Sequence, residues 1–279
     1  MSTNRDQIDR FKETRANMML GGGEKRIAAQ HEKGKLTARE RIESLFDQES
    51  FVEHQSYMVS RSTDFGMDSK RFLGDGVVTG SGKIDDKQVF VSAQDFTVLG
   101  GSLGEMQAER IAQAQELALK TGSPFIAIND SGGARIQEGI LSLHGYGKIF
   151  RNNTLASGVV PQFSVILGPC AGGAVYSPAI TDFVFMVDGV SNMYITGPDV
   201  IRSVTGEEIS HEELGGAGPH CSKSGVAHFR FSSEEACTAF IRRLLTYLPS
   251  NNSEPAPVVP NDDPVDRQTG EILSILPDA

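Results

Sequence analysis

Cysteine is scarce in this sequence, and long apolar runs are absent. The three cysteines among 279 residues, Cys170, Cys221 and Cys237, are too widely spaced for a disulfide framework or a zinc ribbon. No apolar run approaches the ~18 to 20 residues that a membrane-spanning helix needs. The start MSTNRDQIDRFK has neither the apolar core of a signal peptide nor the composition of a transit peptide. The sequence therefore predicts a cytoplasmic protein with reduced thiols and no membrane span.

Positive charge is also in short supply. Twenty-six lysines and arginines stand against 36 aspartates and glutamates, for a net charge of −10. This balance argues against nucleic acid as the main partner, because binding a polyanion requires a basic face. Residues 1–50 carry 10 basic and 9 acidic groups, whereas residues 251–279 carry Arg267 against six acids. An anionic small ligand would have to use local donors, backbone amides or the basic amino-terminal stretch.

The chain divides into three parts by pattern. Residues 1–50 form an amino-terminal helical segment, in which Thr37 and Glu40 match a capping box. Residues 51–250 alternate between strand-like and helix-like runs, which predicts one layered α/β domain. Residues 251–279 contain five prolines and a net charge of −5, which indicates an extended linker or surface wrap.

Apolar periodicity predicts the elements of the central part. Branched and aromatic residues on both sides of Asp85-Asp86 predict an antiparallel hairpin, and runs that are apolar on both faces predict buried strands. Ser232 and Glu235 match a capping box that would begin the last helix, which ends before Pro249. The predicted strands are 77–80, 88–95, 124–128, 162–167, 183–187 and 193–195, and the predicted helices are 104–120, 133–150, 198–204 and 232–248.

Three glycine-rich segments, residues 95–105, 130–139 and 168–179, each follow a predicted strand and precede a helix. Glycine allows close approach at such a junction, and the free N–H groups of the next helix carry partial positive charge. Each segment is therefore a candidate oxyanion site. Gly172 and Gly173 are the strongest candidates, because two adjacent small residues can aim consecutive amides at one oxygen. The alternative is that these glycines only allow tight packing of helix on strand.

Other chemistries lack their motifs. There is no GxGxxG fingerprint for dinucleotides and no GxxxxGK[ST] loop for nucleoside triphosphates. Ser131 lacks the GxSxG elbow, and Cys170 follows an apolar strand, which predicts a buried hydrophobe. The histidines form no HExxH and have no cysteine at zinc spacing, so no metal is predicted. This pattern favours a reaction in which the backbone stabilises charge on the substrates, such as enolate formation beside a thioester.

Longer motifs carry a family resemblance. They are GDGVVTGSG (74–82), SAQDFTVLGGSLGE (92–105), NDSGGARIQEG (129–139) and GVVPQFSVILGPCAGGAVYSPAITDF (158–183). With them the chain resembles the biotin-dependent acyl-CoA carboxyltransferases from about residue 20 to its end. The likeness is strongest to the propionyl-CoA carboxylase β subunit and to methylmalonyl-CoA carboxyltransferase.

The resemblance implies a fold, a reaction and a site. The fold would be a crotonase-like α/β superhelix of stacked sheet and helix units. The reaction would move a carboxyl group from carboxybiotin to the α carbon of a short acyl-CoA, with propionyl-CoA favoured. The amides of Gly172 and Gly173 would form a catalytic oxyanion hole, and the family has no side chain that is securely identified as the base. The reaction cleft and acyl-CoA path would be lined by Gly100, Gly101, Ser102, Gly132, Gly133, Ala134, Arg135 and Ala171.

The resemblance also implies partners. Biotin would be carried on a separate protein or domain, such as a biotin carboxyl carrier or biotin carboxylase subunit, and the full-length protein would be a homo-oligomer. Family members run to about twice this length and carry a second crotonase-like domain with the other oxyanion hole. Residues 251–279 would lead towards that missing domain, and this chain alone would be inactive. The absence of a CxxC…CxxC ribbon argues against the β subunit of bacterial acetyl-CoA carboxylase.

The phosphates of coenzyme A need their own donors. Basic residues near the amino terminus could attract these phosphates, although the alternative is an ordinary solvated helix face. The candidates are Lys25, Arg26, Lys33, Lys35 and Arg39.

Three other functions stay open on sequence grounds. The chain could belong to a biotin-dependent methylmalonyl-CoA decarboxylase or transcarboxylase, in which a similar site serves a related reaction. It could be a non-catalytic assembly module that provides an oligomer interface. It could also be a crotonase-type hydratase, which would need two acids at the thioester, and Glu105 and Glu138 are the candidates.

Overall fold

A computed structural model describes residues 3–258 and 260–277. The parts of the amino-terminal segment and of the expected linker that fall on residues 1, 2, 259, 278 and 279 lie outside the described residues. The helices are α1 (Asn4–Met19), α2 (Glu24–His31), α3 (Ala38–Leu45), α4 (Glu105–Thr121), α5 (Ile140–Ala156), α6 (Tyr176–Ala179), α7 (Pro198–Thr205), α8 (His211–Gly215), α9 (Ala217–Pro219) and α10 (Glu234–Tyr247). The strands are β1 (Val52–Glu53), β2 (Val77–Ile84), β3 (Lys87–Gln94), β4 (Phe125–Ser131), β5 (Gln162–Ala171), β6 (Phe183–Val187), β7 (Asn192–Tyr194) and β8 (Phe229–Phe231).

The strands form one mixed sheet in the order β1-β2-β3-β4-β5-β6-β8, and β7 pairs with the end of β5. The predicted hairpin is confirmed: β2 and β3 are antiparallel and Ile84 pairs with Lys87. Asp85 and Asp86 both adopt positive φ (48° and 64°), which is what a tight two-residue hairpin turn requires. From β3 to β8 the main path is parallel, as the alternation of strands and helices predicted.

Apolar side chains cover both faces of the sheet. One core lies under α3 and α10 and includes Ile42, Leu45 and Ile241. The other lies under α4 and α5, and Cys170 is fully buried within it, as its sequence context predicted. Because α3 shares a core with α10, the boundary expected near residue 50 does not separate two cores.

Side-chain caps begin four of the described helices, α1, α3, α8 and α10. Thr37 and Glu40 form the predicted capping box: the Thr37 hydroxyl accepts from the Glu40 amide and the Glu40 carboxylate accepts from the Thr37 amide. The prediction that Ser232 begins the last helix is wrong by one residue, because the Ser233 hydroxyl accepts from the Ala236 amide at 3.1 Å.

Two segments differ from their predicted extent. The helix expected over 133–150 begins only at Ile140, because Gly139 adopts φ 54°, ψ −124° and separates α5 from a short 3₁₀ turn at Ile136–Glu138. Strand β5 runs to Ala171, four residues beyond the predicted end. Residues 251–258 and 260–277 are almost entirely exposed and contain one short 3₁₀ turn. None of the helices in the described part of the chain is long and apolar enough to cross a membrane.

Candidate active site at the ends of three parallel strands

The three glycine segments meet at one edge of the sheet. Strands β3, β4 and β5 are parallel neighbours, and each glycine segment follows the carboxyl end of one of them. A Cβ at Gly101 would stand 2.0 Å from the Asp130 carbonyl oxygen, and one at Gly133 would stand 2.8 Å from the Ala171 oxygen. The loops therefore approach so closely that a side chain at either position would collide with the next loop. Ligands of open α/β sheets bind at this kind of edge.

Backbone hydrogen bonds join the first two segments. The Gly132 amide donates to the Gly100 carbonyl at 3.0 Å, and the Leu103 amide donates to the Gly133 carbonyl at 2.9 Å. Ala134 pairs with Leu103 in a parallel bridge. The structure thus brings the predicted cleft residues 100–102, 132–134 and 171 together, with several of their amides already used by the fold.

The third segment presents one available amide, not two. The Gly172 N–H donates to the Ile195 carbonyl at 3.2 Å, so the expected pair of free amides is wrong for Gly172. Gly173 lies in the first turn of a 3₁₀ helix at Gly172–Val175, where an N–H has no intrahelical acceptor. Within residues 3–258 and 260–277 no acceptor is bonded to the Gly173 N–H. This amide is therefore the candidate oxyanion donor.

Arg135 does not line the cleft as predicted. Its side chain is 1% exposed, and its guanidinium donates to Asp75 at 2.7 Å and to Glu138 at 2.8 Å. It also donates to the Ser102 carbonyl at 2.9 Å. A sequence pattern cannot reveal this role, because Asp75 lies sixty positions away along the chain. Arg135 therefore stabilises the loop through buried ion pairs and hydrogen bonds, and its side chain is not exposed to a substrate in the cleft.

The two acids expected for a hydratase are committed elsewhere. The Glu138 carboxylate accepts from the Glu105 amide at 2.6 Å, from the Ser60 hydroxyl at 2.8 Å and from Arg135. Burial raises the pKa of Glu138, but these three donors outweigh it and hold the pKa below its ordinary value. The Glu105 carboxylate pairs with the exposed Arg61. Because Glu138 caps α4 as a buried anion, the pair does not form an acid and base converging on a thioester.

A second buried charge cluster lies under the segment 130–139. Asp130 is fully buried and accepts from Lys35 at 2.8 Å, from Arg41 at 2.9 Å and from Gln30 at 3.0 Å. Arg41 also bonds Glu234 on α10. The expectation that Lys35 attracts CoA phosphates is therefore wrong, because its ammonium is buried in an ion pair with Asp130.

A basic cavity adjoins the first glycine segment. It has a volume of about 260 Å³ and lies between α2 and residues 96–100. Its walls include Arg26, Lys33 and Gly100, so two of the predicted phosphate ligands are present. The Arg26 guanidinium also donates to the Thr97 carbonyl at 3.0 Å, which fixes its position. Arg39 is instead paired with Glu53 at 2.9 Å and lines a different cavity.

An apolar groove adjoins the third glycine segment. Its volume is about 450 Å³, and no acidic side chain lines it. The walls include Val175, Tyr176, Met193, Tyr194, Ile195 and His220. Ile195 thus lines the groove and also accepts from Gly172. Gly172 and Gly173 do not themselves line this groove, which adjoins the glycine segment at Val175 and Tyr176.

No reactive side chain stands at this edge. Ser131 is fully buried and its hydroxyl accepts from the Gly133 amide at 3.1 Å. Burial strongly raises the pKa of the Cys170 thiol, and its sulfur donates to the Ala174 carbonyl. The described residues contain no group of three or more His, Cys, Asp or Glu placed to hold a metal ion.

The profile of the carboxyl transferase domain matches residues 29–279. The chain belongs to the carboxyl transferase family. It is 56% identical over 278 residues to the methylmalonyl-CoA decarboxylase subunit alpha of Veillonella parvula, with 100% of this chain and 55% of that protein covered. It is also 56% identical over 277 residues to the propionyl-CoA carboxylase carboxyltransferase subunit of Haloferax mediterranei, with 99% of this chain and 54% of that protein covered.

Solved carboxyltransferases share the fold. The transcarboxylase 12S hexamer crystallised with methylmalonyl-CoA and methylmalonic acid superposes with a TM-score of 0.93 and 48% identity, covering 99% of this chain and 54% of that one. The family and the crotonase-like fold implied by the sequence are therefore confirmed. The chain spans about half the length of the curated relatives it matches.

Proposed function

We propose that this chain supplies one half of a biotin-dependent carboxyltransferase site that moves a carboxyl group between carboxybiotin and the α carbon of a short acyl-CoA. Family membership supports the class of reaction. The observation that carries the proposal is the meeting of three glycine segments at one sheet edge, where the Gly173 N–H is unengaged. Propionyl-CoA and methylmalonyl-CoA are the favoured pair, because the two relatives above are named for these acyl groups.

The role of the Gly173 amide follows from where charge develops. A carbonyl oxygen becomes negative when the α proton leaves an acyl thioester, and also when carboxybiotin gives up its carboxyl group. A fixed backbone N–H stabilises such an oxygen at little reorganisation cost, typically by about 3 to 4 kcal/mol. The groove that adjoins the same segment at Val175 and Tyr176 has apolar walls without acids, which suits either carbonyl-bearing ligand. The buried acids of the two charge clusters are all paired, so they do not oppose an oxyanion here.

The basic cavity supports the assignment of the CoA half. Coenzyme A carries phosphates at one end and the reacting thioester at the other. Arg26 and Lys33 stand beside Gly100, while Gly173 stands across the same sheet edge. A CoA thioester with its phosphates at the cavity and its acyl end towards Gly173 would pass over residues 100–102 and 132–134.

A second carboxyltransferase domain, a biotin carrier and further copies of the chain are part of the proposal. The resemblance implies that family members carry a second oxyanion hole on another domain, and that hole would bind the other oxygen. We propose that these partners set the direction of transfer. The chain itself does not distinguish the two directions, because it is 56% identical both to a decarboxylase subunit and to a carboxylase subunit.

A fusion protein tests the proposal. The full chain would be joined to the carboxyl-terminal part of the Veillonella parvula relative that it does not match. With free biotin as the carboxyl acceptor, we expect this fusion to convert methylmalonyl-CoA to propionyl-CoA and form carboxybiotin, measured by chromatography of the CoA esters. The chain alone and the carboxyl-terminal part alone are the controls, and both should be inactive.

The outcomes separate the alternatives. A fusion that assembles but transfers no carboxyl group from any short acyl-CoA would support the non-catalytic assembly module. Full turnover by the chain alone would refute the idea of a half site. Hydration of crotonyl-CoA by the chain would support the hydratase function. The structure argues against that function, because both oxygens of Glu138 already accept hydrogen bonds.

A further inference from the structure

A buried tyrosine packs directly on the glycine that bears the free amide. Tyr146 lies on α5 and is 5% exposed. A Cβ at Gly173 would stand 2.7 Å from Tyr146 Cε2 and 2.8 Å from Cδ2, so the ring occupies the space next to the Gly173 Cα. The position of the ring therefore limits where Gly173 can sit.

The Tyr146 hydroxyl has no hydrogen-bond partner among the described residues, although it is buried. The Ser131 hydroxyl, which accepts from the Gly133 amide, lies near enough to lower the Tyr146 pKa slightly, but it makes no hydrogen bond of normal geometry with the phenol. Burial raises the pKa of Tyr146 well above its usual range, so the phenol stays neutral and keeps its O–H donor. Buried hydroxyls without a partner are rare, because the lost hydrogen bonds to water are costly.

Two more residues with an unpartnered buried oxygen line the same small cavity as Tyr146. Gln94 Oε1 on β3 and Gln115 Oε1 on α4 are also without a partner in the described part of the chain, and each side chain is 5% exposed. Tyr146, Gln94 and Gln115 all line a cavity of about 20 Å³. That volume suits one water molecule, and three polar partners match the number that a buried water usually bonds.

We propose that Tyr146, anchored by one internal water that it shares with Gln94 and Gln115, positions the Gly173 amide for the oxygen that becomes negative. The inference rests on the proposed function, because it assigns the Gly173 N–H to that oxygen. Tyr146 is a positioning residue, since it touches Gly173 and no reacting atom. A displaced backbone donor loses much of its value, because a shift of about 1 Å costs on the order of a hundredfold in rate.

Three variants of the fusion protein test the role of Tyr146. Tyr146→Leu removes the ring, and we expect kcat to fall about a hundredfold while KM changes less than about threefold. Tyr146→Phe keeps the ring but loses the bond to water, and we expect kcat to fall about tenfold and Tm to fall by about 2 to 4 °C. Phe150→Leu is the matched control, because Phe150 stacks on Tyr146 at 5.8 Å from the same helix. It should lower Tm and leave kcat within about threefold.

Each outcome decides for or against the inference. Tyr146→Phe with the kcat and Tm of the wild-type fusion would overturn it, and so would a Phe150→Leu variant that loses as much kcat as Tyr146→Leu. If Tyr146→Leu fails to fold, the Phe variant and a crystal structure of the wild-type chain decide. That crystal structure should show one water within hydrogen-bond distance of all three side chains, and a dry cavity would overturn the anchor. An inactive wild-type fusion would instead count against the proposed function, because the crystal structure tests the water independently.

Discussion

Arg41 donates to Asp130 across 2.9 Å and so joins α3, near the amino terminus, to the end of β4 beneath the second glycine segment. The same guanidinium bonds Glu234 on α10 at 2.8 Å. The side chain of Arg41 is 2% exposed and that of Asp130 is fully buried. The amino-terminal segment thus forms part of the foundation of the candidate site, although it precedes the sheet in the sequence.

Removing Arg41 should destabilise the whole domain. Arg41→Leu leaves Asp130 and Glu234 as buried anions with fewer partners, and breaking one side of a buried pair costs about 3 to 5 kcal/mol. We expect urea unfolding followed by circular dichroism to show a loss of stability of this size. The control is Arg230→Leu, whose pair with Asp188 is about half exposed and should contribute less than about 1 kcal/mol. Equal, small losses of unfolding free energy in both variants would show that the buried cluster does not stabilise the domain.

The Glu138 carboxylate, which caps α4, predicts that the stability of the fold decreases in acid. The pKa of Glu138 in the folded protein lies below its ordinary value of 4.5, so the carboxylate stabilises the fold above that pH. As the pH falls through the folded pKa, this contribution is lost. Glu138→Gln should therefore be less stable than the wild type at pH 7, and the two stabilities should converge as the pH falls below about 4.

Denaturant midpoints between pH 7 and pH 3 measure this convergence. Burial raises the pKa of Asp75 and the Glu138 charge raises it further, so the Gln variant also lowers the Asp75 pKa and the convergence reports the two coupled acids together. Glu49→Gln is the control, because Glu49 is an exposed acid outside the charge clusters. A constant gap between the Glu138→Gln variant and the wild type at all pH values would refute the assignment of a charged cap.

The sequence was sufficient to predict where the three glycine segments lie in the fold, but it did not predict the ion pairs beneath them. Alternating buried strands and helices predicted three glycine segments at the ends of parallel strands, and Gly101 and Gly133 lie where those segments touch. The roles of Lys35 and Arg135 could not be predicted in the same way. Their partners Asp130 and Asp75 lie 95 and 60 positions away, and only the packed fold brings these charges together.

The amide of Gly172 shows a second limit of sequence reasoning. Two adjacent glycines after a strand suggest two free N–H groups, because helix starts leave their first amides unpaired. In the fold, the segment after β7 returns alongside β5 and its Ile195 carbonyl accepts from Gly172. The pairing of β7 with the very end of β5 is a tertiary feature, and no local pattern around Gly172 carries it.

The basic cavity predicts where CoA phosphates bind. Lys33 is exposed and lines the cavity with Arg26, so Lys33→Glu should weaken the binding of propionyl-CoA about tenfold through charge repulsion. The measurement is isothermal titration calorimetry with the full chain. Lys25→Glu is the matched control, because Lys25 is an exposed lysine on α2, the helix just before Lys33, and does not line this cavity.

A truncated ligand sharpens that test. Propionyl-pantetheine lacks the nucleotide phosphates, so its affinity should be the same for the wild type and for Lys33→Glu. An equal loss of affinity for both ligands, or an equal effect of Lys25→Glu on propionyl-CoA, would place the phosphates elsewhere.

The two glycines after β5 should respond differently to alanine. Gly172 adopts φ 58° with open space around it, the nearest atom to a new Cβ being the Ile195 oxygen at 3.9 Å. Gly172→Ala should therefore cost about 1 kcal/mol of stability through backbone strain and leave kcat of the fusion within about threefold. Gly173→Ala would press a methyl group against the Tyr146 ring, and the resulting shift of the amide should lower kcat about a hundredfold.

Turnover of methylmalonyl-CoA by the two variants, with thermal midpoints measured alongside, separates catalysis from stability. If both variants lose kcat equally while both stay folded, the Gly172 amide must also face the oxyanion in the working enzyme. Its bond to Ile195 would then have to open when substrate binds, and the apolar groove that Ile195 lines would have to move with it. A large loss for Gly173→Ala alone would instead mean that the arrangement seen here, with one amide tied to Ile195 and one free, is the arrangement that acts.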